Sequence, residues 1–131
     1  MVVDTSALVA ILQNEPERRA FNEMIESAES CILSAVSLVE VSIVIESRYG
    51  SDGIRTLDLY LSKAGVEIVE VDENQAMIAR RAFRQYGKGR HPAGLNYGDC
   101  FSYALAMSRT EPLLFKGKDF SRTDLEQVSY G

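Results

Sequence analysis

The apolar positions of the chain fall into short solid runs that alternate with longer stretches of helical spacing. Met1 to Val3 is apolar and short, which predicts a strand at the very start. Ala7 to Gln13 then reads as a helix, with Asp4 and Ser6 in position to cap it. A second helix is expected directly after Asn14, with Asn14 as its cap, Pro16 in its first turn and Ala20, Phe21, Met24, Ile25 and Ala28 as its apolar stripe. Cys31-Ile32-Leu33 predicts a buried strand. Residues 36–49 predict a helix that is apolar almost all round, hence buried on more than one face, and Gly50 is its stop. Ile54, Leu57, Leu59, Tyr60 and Leu61 mark the next helix, ended near Gly65. Residues 66–71 read as a strand, and Asp72 caps a helix with Ala76, Ala79, Ala82, Phe83 and Tyr86 inward. A Gly- and Pro-containing loop over 87–94 leads to a helix over 96–107, with Asn96 a candidate cap. A strand over 112–115 and a last one over 127–129 complete the pattern. Strands that alternate with helices predict an α/β fold whose parallel sheet is covered on both faces.

The 131 residues suit one domain, taken as 1–131. Apolar residues are 46% and charged residues 25%, which excludes disordered and fibrous classes. No apolar run is long enough to span a bilayer, and the start lacks the pattern of a secretory signal, so no membrane association is expected. Two cysteines without ligand spacing fit a reducing, cytoplasmic setting. A single histidine, His91, argues against His-based zinc chemistry and a serine–histidine triad. The net charge of −5 argues against indiscriminate binding to nucleic acid, although not against a nuclease that meets phosphate through metal ions.

The informative residues are acids in apolar surroundings. Asp4 follows the first strand, at the edge where α/β sheets gather ligands. Glu40 lies within the most hydrophobic helix, where an uncompensated charge costs several kcal/mol. Asp99 opens the 96–107 helix, and Asp119 follows the 112–115 strand. Singly, each has a plain structural role. Asp4 is a helix cap, Glu40 a partner for an arginine such as Arg48 or one from another helix, Asp99 a favourable charge at a helix start, and Asp119 a turn residue. Together, four carboxylates without histidine or cysteine suit a hard cation, Mg²⁺ or Mn²⁺ rather than Zn²⁺. Such ions stabilise charge on phosphate and acidify a bound water, which is phosphodiester chemistry.

Asp4-Thr5-Ser6 after a strand, Glu40 in an apolar helix, Asp99 within Asn96-Tyr97-Gly98-Asp99-Cys100-Phe101, and Asp119 within Lys116-Gly117-Lys118-Asp119-Phe120 form an ordered series. It resembles the PIN-domain ribonucleases, and among them the VapC toxins of toxin–antitoxin modules, over essentially the whole chain. The resemblance implies a three-layer α/β/α fold with a mostly parallel, twisted sheet of about five strands. It implies a Mg²⁺- or Mn²⁺-dependent endoribonuclease that cuts tRNA, rRNA or mRNA and so inhibits translation. The four family acids fall on Asp4, Glu40, Asp99 and Asp119 as metal-holding and catalytic residues, with Asp124 the substitute for the fourth. Ser6, with Thr5 nearby, is the hydroxyl that supports the first acid. A VapB-like antitoxin and a homodimer are the implied partners.

Five of the 14 basic residues, Arg80, Arg81, Arg84, Lys88 and Arg90, fall within eleven positions. They form either a solvated helix face or a phosphate-tracking edge. Lys116, Lys118 and Arg122 flank Asp119 and offer the same choice. Tyr86 and Tyr97 are candidates for stacking on unpaired bases. Two rival functions use the same acids: a structure-specific DNA nuclease, and a non-catalytic Mg²⁺-binding regulatory module.

Overall fold

The computed structural model describes residues 1–126 and 128. Its order is β1 (Val2–Val3), α1 (Thr5–Leu12), α2 (Arg18–Ser27), β2 (Cys31–Ser34), α3 (Ala35–Ala64), β3 (Val66–Val69), α4 (Glu73–Tyr86), α5 (Tyr97–Arg109) and β4 (Leu113–Leu114), followed by a 3-10 turn at Phe120–Arg122. The described strands form one parallel sheet in the order β3-β2-β1-β4, with Val2 opposite Ile32 on one side and Leu113 on the other. The chain therefore winds outward from β1 through β2 to β3, then returns to the other edge of β1 with β4. That reversal leaves a crevice beyond the carboxyl ends of β1 and β4, where α/β sheets bind ligands.

Side chains alternate across a strand, so adjacent residues divide between two cores. Val2, Ile32 and Leu113 face a core built with Ala79, Ala82, Tyr103 and Leu105 of α4 and α5. Val3, Leu33 and Leu114 face a second core with Leu8, Phe21, Val41 and Leu57 of α1, α2 and α3. Three layers result, helices–sheet–helices, as the alternation of elements predicts. The expected last strand over 127–129 includes Gln127 and Ser129, which lie outside the described residues; the amide of Leu113 does donate to the carbonyl of Glu126, at 3.4 Å.

Two expectations need correction. The second helix begins at Arg18 rather than just after Asn14, because Asn14 adopts a left-handed φ of 54° and Pro16 sits in the intervening turn. The first half of α3 is not buried all round. Ser37, Val41 and Ile45 face the core, whereas Val39 and Ile43 are 58% and 60% exposed. One helix face suffices to cover the sheet, and the other is left as a surface. Gly50 does interrupt α3, at φ 66° and ψ −154°, so the two helical stretches read from the sequence meet there as one bent element.

Candidate active site

Asp4 ends β1 and caps α1, and it is almost completely buried. Its Oδ2 accepts from the Ser6 amide at 3.0 Å and the Ser6 hydroxyl at 2.7 Å. Its Oδ1 accepts from the Ser102 hydroxyl at 2.6 Å. The Ser6 hydroxyl in turn accepts from the amide of Lys116, which ties β4's exit loop to β1's. Thr5 donates from Oγ1 to the carbonyl of Ser37 at 3.4 Å. The expected support of Asp4 by Ser6 is therefore present as a hydrogen bond, with Thr5 on a neighbouring backbone group.

Asp99 is the third residue of α5 and shares a capping box with Asn96. The Asp99 amide donates to Asn96 Oδ1 at 2.9 Å, and the Asn96 amide donates to Asp99 Oδ2 at 3.0 Å. Burial pushes the Asp99 carboxyl up to about 7; the backbone hydrogen bond from Asn96 opposes this, and the charges of Asp4, Asp119 and Glu40 add to it. All three other candidate acids thus act electrostatically on one half-buried carboxylate. Glu40 reaches this neighbourhood from α3, with its carboxyl lying against Gly98: a Cβ there would stand 2.6 Å from Glu40 Cδ, and the flexible carboxyl end would have to move aside. The alternative partner for Glu40 is otherwise engaged: Arg48 hydrogen-bonds Gln13.

Asp119 is exposed and precedes the 3-10 turn, which is anchored by buried Phe120 against Phe115 at 5.0 Å between ring centroids. Asp124 has a different setting: its carboxylate accepts from the Tyr103 hydroxyl at 2.6 Å, away from the charges acting on Asp99. Among the described residues, no three acidic, histidine or cysteine side chains converge on one point that could hold an ion. The donor set nevertheless fits Mg²⁺ or Mn²⁺. It is all oxygen, and Mg²⁺ is usually held by only one or two carboxylates, with water and phosphate completing its shell. The buried cysteines are not alternative ligands or nucleophiles; burial, with the charge of Asp99, raises the Cys100 thiol to about 11.

Arg80, Arg84, Lys88 and Arg90 are all exposed. Arg90 lies over the Phe83 ring at 5.6 Å, and Arg80 borders an apolar pocket with Phe83, Tyr97, Cys100 and Phe101. Lys118 is exposed beside Asp119. Lys116 points away from the acids, with Nζ 2.9 Å from Glu15 and 3.2 Å from Glu17. Tyr97 is 73% exposed and stacks edge-on with Phe101, whereas Tyr86 is buried against Tyr103 and His91. Two serines, Ser37 and Ser102, also face the site beneath Asp4. Ser37 and Ser102 are each one helical turn from an acid, in Ser37-Leu38-Val39-Glu40 and Asp99-Cys100-Phe101-Ser102. That three-residue spacing on one helix face is the signal that marks them.

The PIN domain family profile matches residues 1–126. Ribonuclease VapC30 of Mycobacterium tuberculosis is 53% identical over 129 residues, which cover 98% of each chain. Ribonuclease VapC of Mycolicibacterium smegmatis is 55% identical over 128 residues, covering 98% of this chain and 99% of that one. Among solved structures, Mycobacterium tuberculosis VapC20, a Sarcin-Ricin loop cleaving toxin, matches with a TM-score of 0.79 at 16% identity, over 97% of both chains. VapBC2 of Rickettsia felis, bound to a promoter DNA fragment, matches with a TM-score of 0.77 at 16% identity, over 99% and 98% of the chains. The two solved structures establish a shared fold, and the close relatives go further: this chain belongs to the PIN-domain family and, within it, to the VapC ribonuclease toxins.

Proposed function

We propose that this VapC ribonuclease hydrolyses RNA with Mg²⁺ or Mn²⁺ held by Asp4, Glu40, Asp99 and Asp119. The supporting observation is half-buried Asp99, whose carboxyl is raised above its ordinary range first by burial and further by the charges of Asp4, Asp119 and Glu40. A carboxyl raised by burial and by neighbouring charge gains from a cation that offsets both. A bound ion would supply charge stabilisation at phosphate and an acidified water. The residues themselves have separable tasks. Asp4 is fixed through both oxygens, so its orientation is set before substrate arrives. Asp99 is held at a helix start by its capping box, and Asp119 presents an exposed carboxylate on the opposite loop. Asp124 is committed to Tyr103, which favours Asp119 as the fourth acid.

The exposed basic run through Arg80, Arg84, Lys88 and Arg90, joined by Lys118, is the surface proposed to follow the RNA backbone. Lys116 contributes least, because two glutamates already neutralise it. A VapB-like antitoxin is the proposed partner. The solved structures of similar fold include VapBC complexes from Rickettsia felis and Salmonella typhimurium. The apolar groove lined by Val36, Val39, Ile43, Val71 and Tyr97 runs past Glu40 and offers an antitoxin segment a route to the acids. The surplus apolar surface also suits a homodimer. Among the described residues no helix is long and apolar enough to cross a membrane.

Asp4→Asn and Asp99→Asn are expected to abolish cleavage of single-stranded RNA while leaving the circular-dichroism spectrum unchanged. Undiminished Mg²⁺-dependent cleavage by both variants would refute the site. Parallel assays on RNA and on flap DNA decide the polymer, with cleavage of RNA alone expected.

A further inference from the structure

We propose that Ser37 and Ser102 form a hydrogen-bond relay that positions the Asp4 carboxylate for metal binding; this rests on the reading of Asp4, Glu40 and Asp99 as metal-holding residues. Ser102 Oγ lies 2.6 Å from Asp4 Oδ1, and Ser37 Oγ lies 3.1 Å from Ser102 Oγ. Both serines are fully buried, and Asp4 is only 3% exposed. A serine hydroxyl has one proton, and an ionised carboxylate can only accept. Ser102 therefore gives its proton to Asp4, and the Ser37–Ser102 contact acquires a direction: Ser37 donates to Ser102, which donates to Asp4. Thr5, next to Asp4, donates separately to the Ser37 backbone carbonyl.

The relay links the three elements that carry three of the acids. Ser37 lies one turn before Glu40 on α3, Ser102 lies one turn after Asp99 on α5, and Asp4 caps α1. Removing a hydroxyl leaves α3 and α5 without their polar contact beneath the carboxylates and frees Asp4 Oδ1 to rotate. Ser37 reaches Asp4 only through Ser102. Both are positioning residues, since neither oxygen is placed to touch phosphate.

Mn²⁺ alone is the probe, titrated calorimetrically into the full chain, with RNA cleavage followed across Mn²⁺ concentrations. Ser102→Ala is expected to weaken Mn²⁺ binding by about tenfold, the scale usual for groups that orient metal ligands. Its cleavage should fall at low Mn²⁺ and recover as Mn²⁺ is raised. Ser37→Ala should weaken binding by a smaller factor, and the double variant should be no worse than Ser102→Ala. Ser42→Ala, which removes a comparable α3 hydroxyl bonded to the Leu38 carbonyl at 2.6 Å, should bind Mn²⁺ as the parent does. Ser37→Ala gives the decision if Ser102→Ala does not fold. Loss of Mn²⁺ binding in Asp4→Asn with binding within twofold of the parent in Ser102→Ala overturns the relay alone. So do equal losses in Ser42→Ala, or effects of the two single changes that multiply in the double variant. Unchanged binding in Asp4→Asn overturns the site reading and the relay with it.

Discussion

Three of the candidate acids are fixed by different local devices. Asp4 has two hydroxyl donors and an amide, Asp99 a capping box, and Asp119 the aromatic anchor beside it. The electrostatic consequence is clearest at Asp99. Its carboxyl titrates near 7 in the folded chain and near 3.8 without the fold. Between those values the folded state binds more protons than the unfolded one, so stability falls as pH rises. The contribution of Asp99 is therefore complete below about pH 4 and lost as pH passes about 7. Denaturant unfolding of metal-free protein should show the parent losing stability relative to Asp99→Asn across that window; a difference that stays flat with pH would contradict it. The candidate acids stand out in the sequence by their order and, for Asp4 and Glu40, by their apolar neighbours. Ser37 and Ser102 do not, because a buried serine in a helix reads as a small residue until its partner from another element is known.

Elements were legible where composition and capping agree. Asp72 and Asn96 cap α4 and α5 where expected, and the short apolar runs are the strands. The exposed face of α3 was not legible, since periodicity does not reveal which apolar residues a neighbouring element will cover. The beginning of α2 was displaced by the backbone of Asn14, a choice that propensity does not specify. Gly50 illustrates the opposite case. Its φ of 66° with ψ of −154° lies in territory that only glycine enters readily, so the bend in α3 depends on that residue. Gly50→Ala is expected to lower stability by about 1–3 kcal/mol in urea denaturation. A loss below about 0.5 kcal/mol, the level of a neutral surface change, would show that the bend does not need glycine.

At the scale of the molecule, the sheet order gathers acids that lie as far apart in the chain as residues 4 and 119. The repulsion that Asp4, Asp119 and Glu40 exert on Asp99 is a cost of folding that the proposed cation would relieve. At a free Mn²⁺ concentration about a hundred times its dissociation constant, the folded state gains about 2.7 kcal/mol. The melting temperature should therefore rise with Mn²⁺ in the parent and stay unchanged in Asp4→Asn; equal shifts in both would place the ion elsewhere. The same topology bears on how the enzyme is made. Because Val2 is paired on one side with Leu113, β1 lacks one neighbour, and the crevice lacks its Asp119 loop, until the chain has been made beyond residue 119. A chain made only as far as α5 would thus hold Asp4, Glu40 and Asp99 without the strand and loop that complete the crevice.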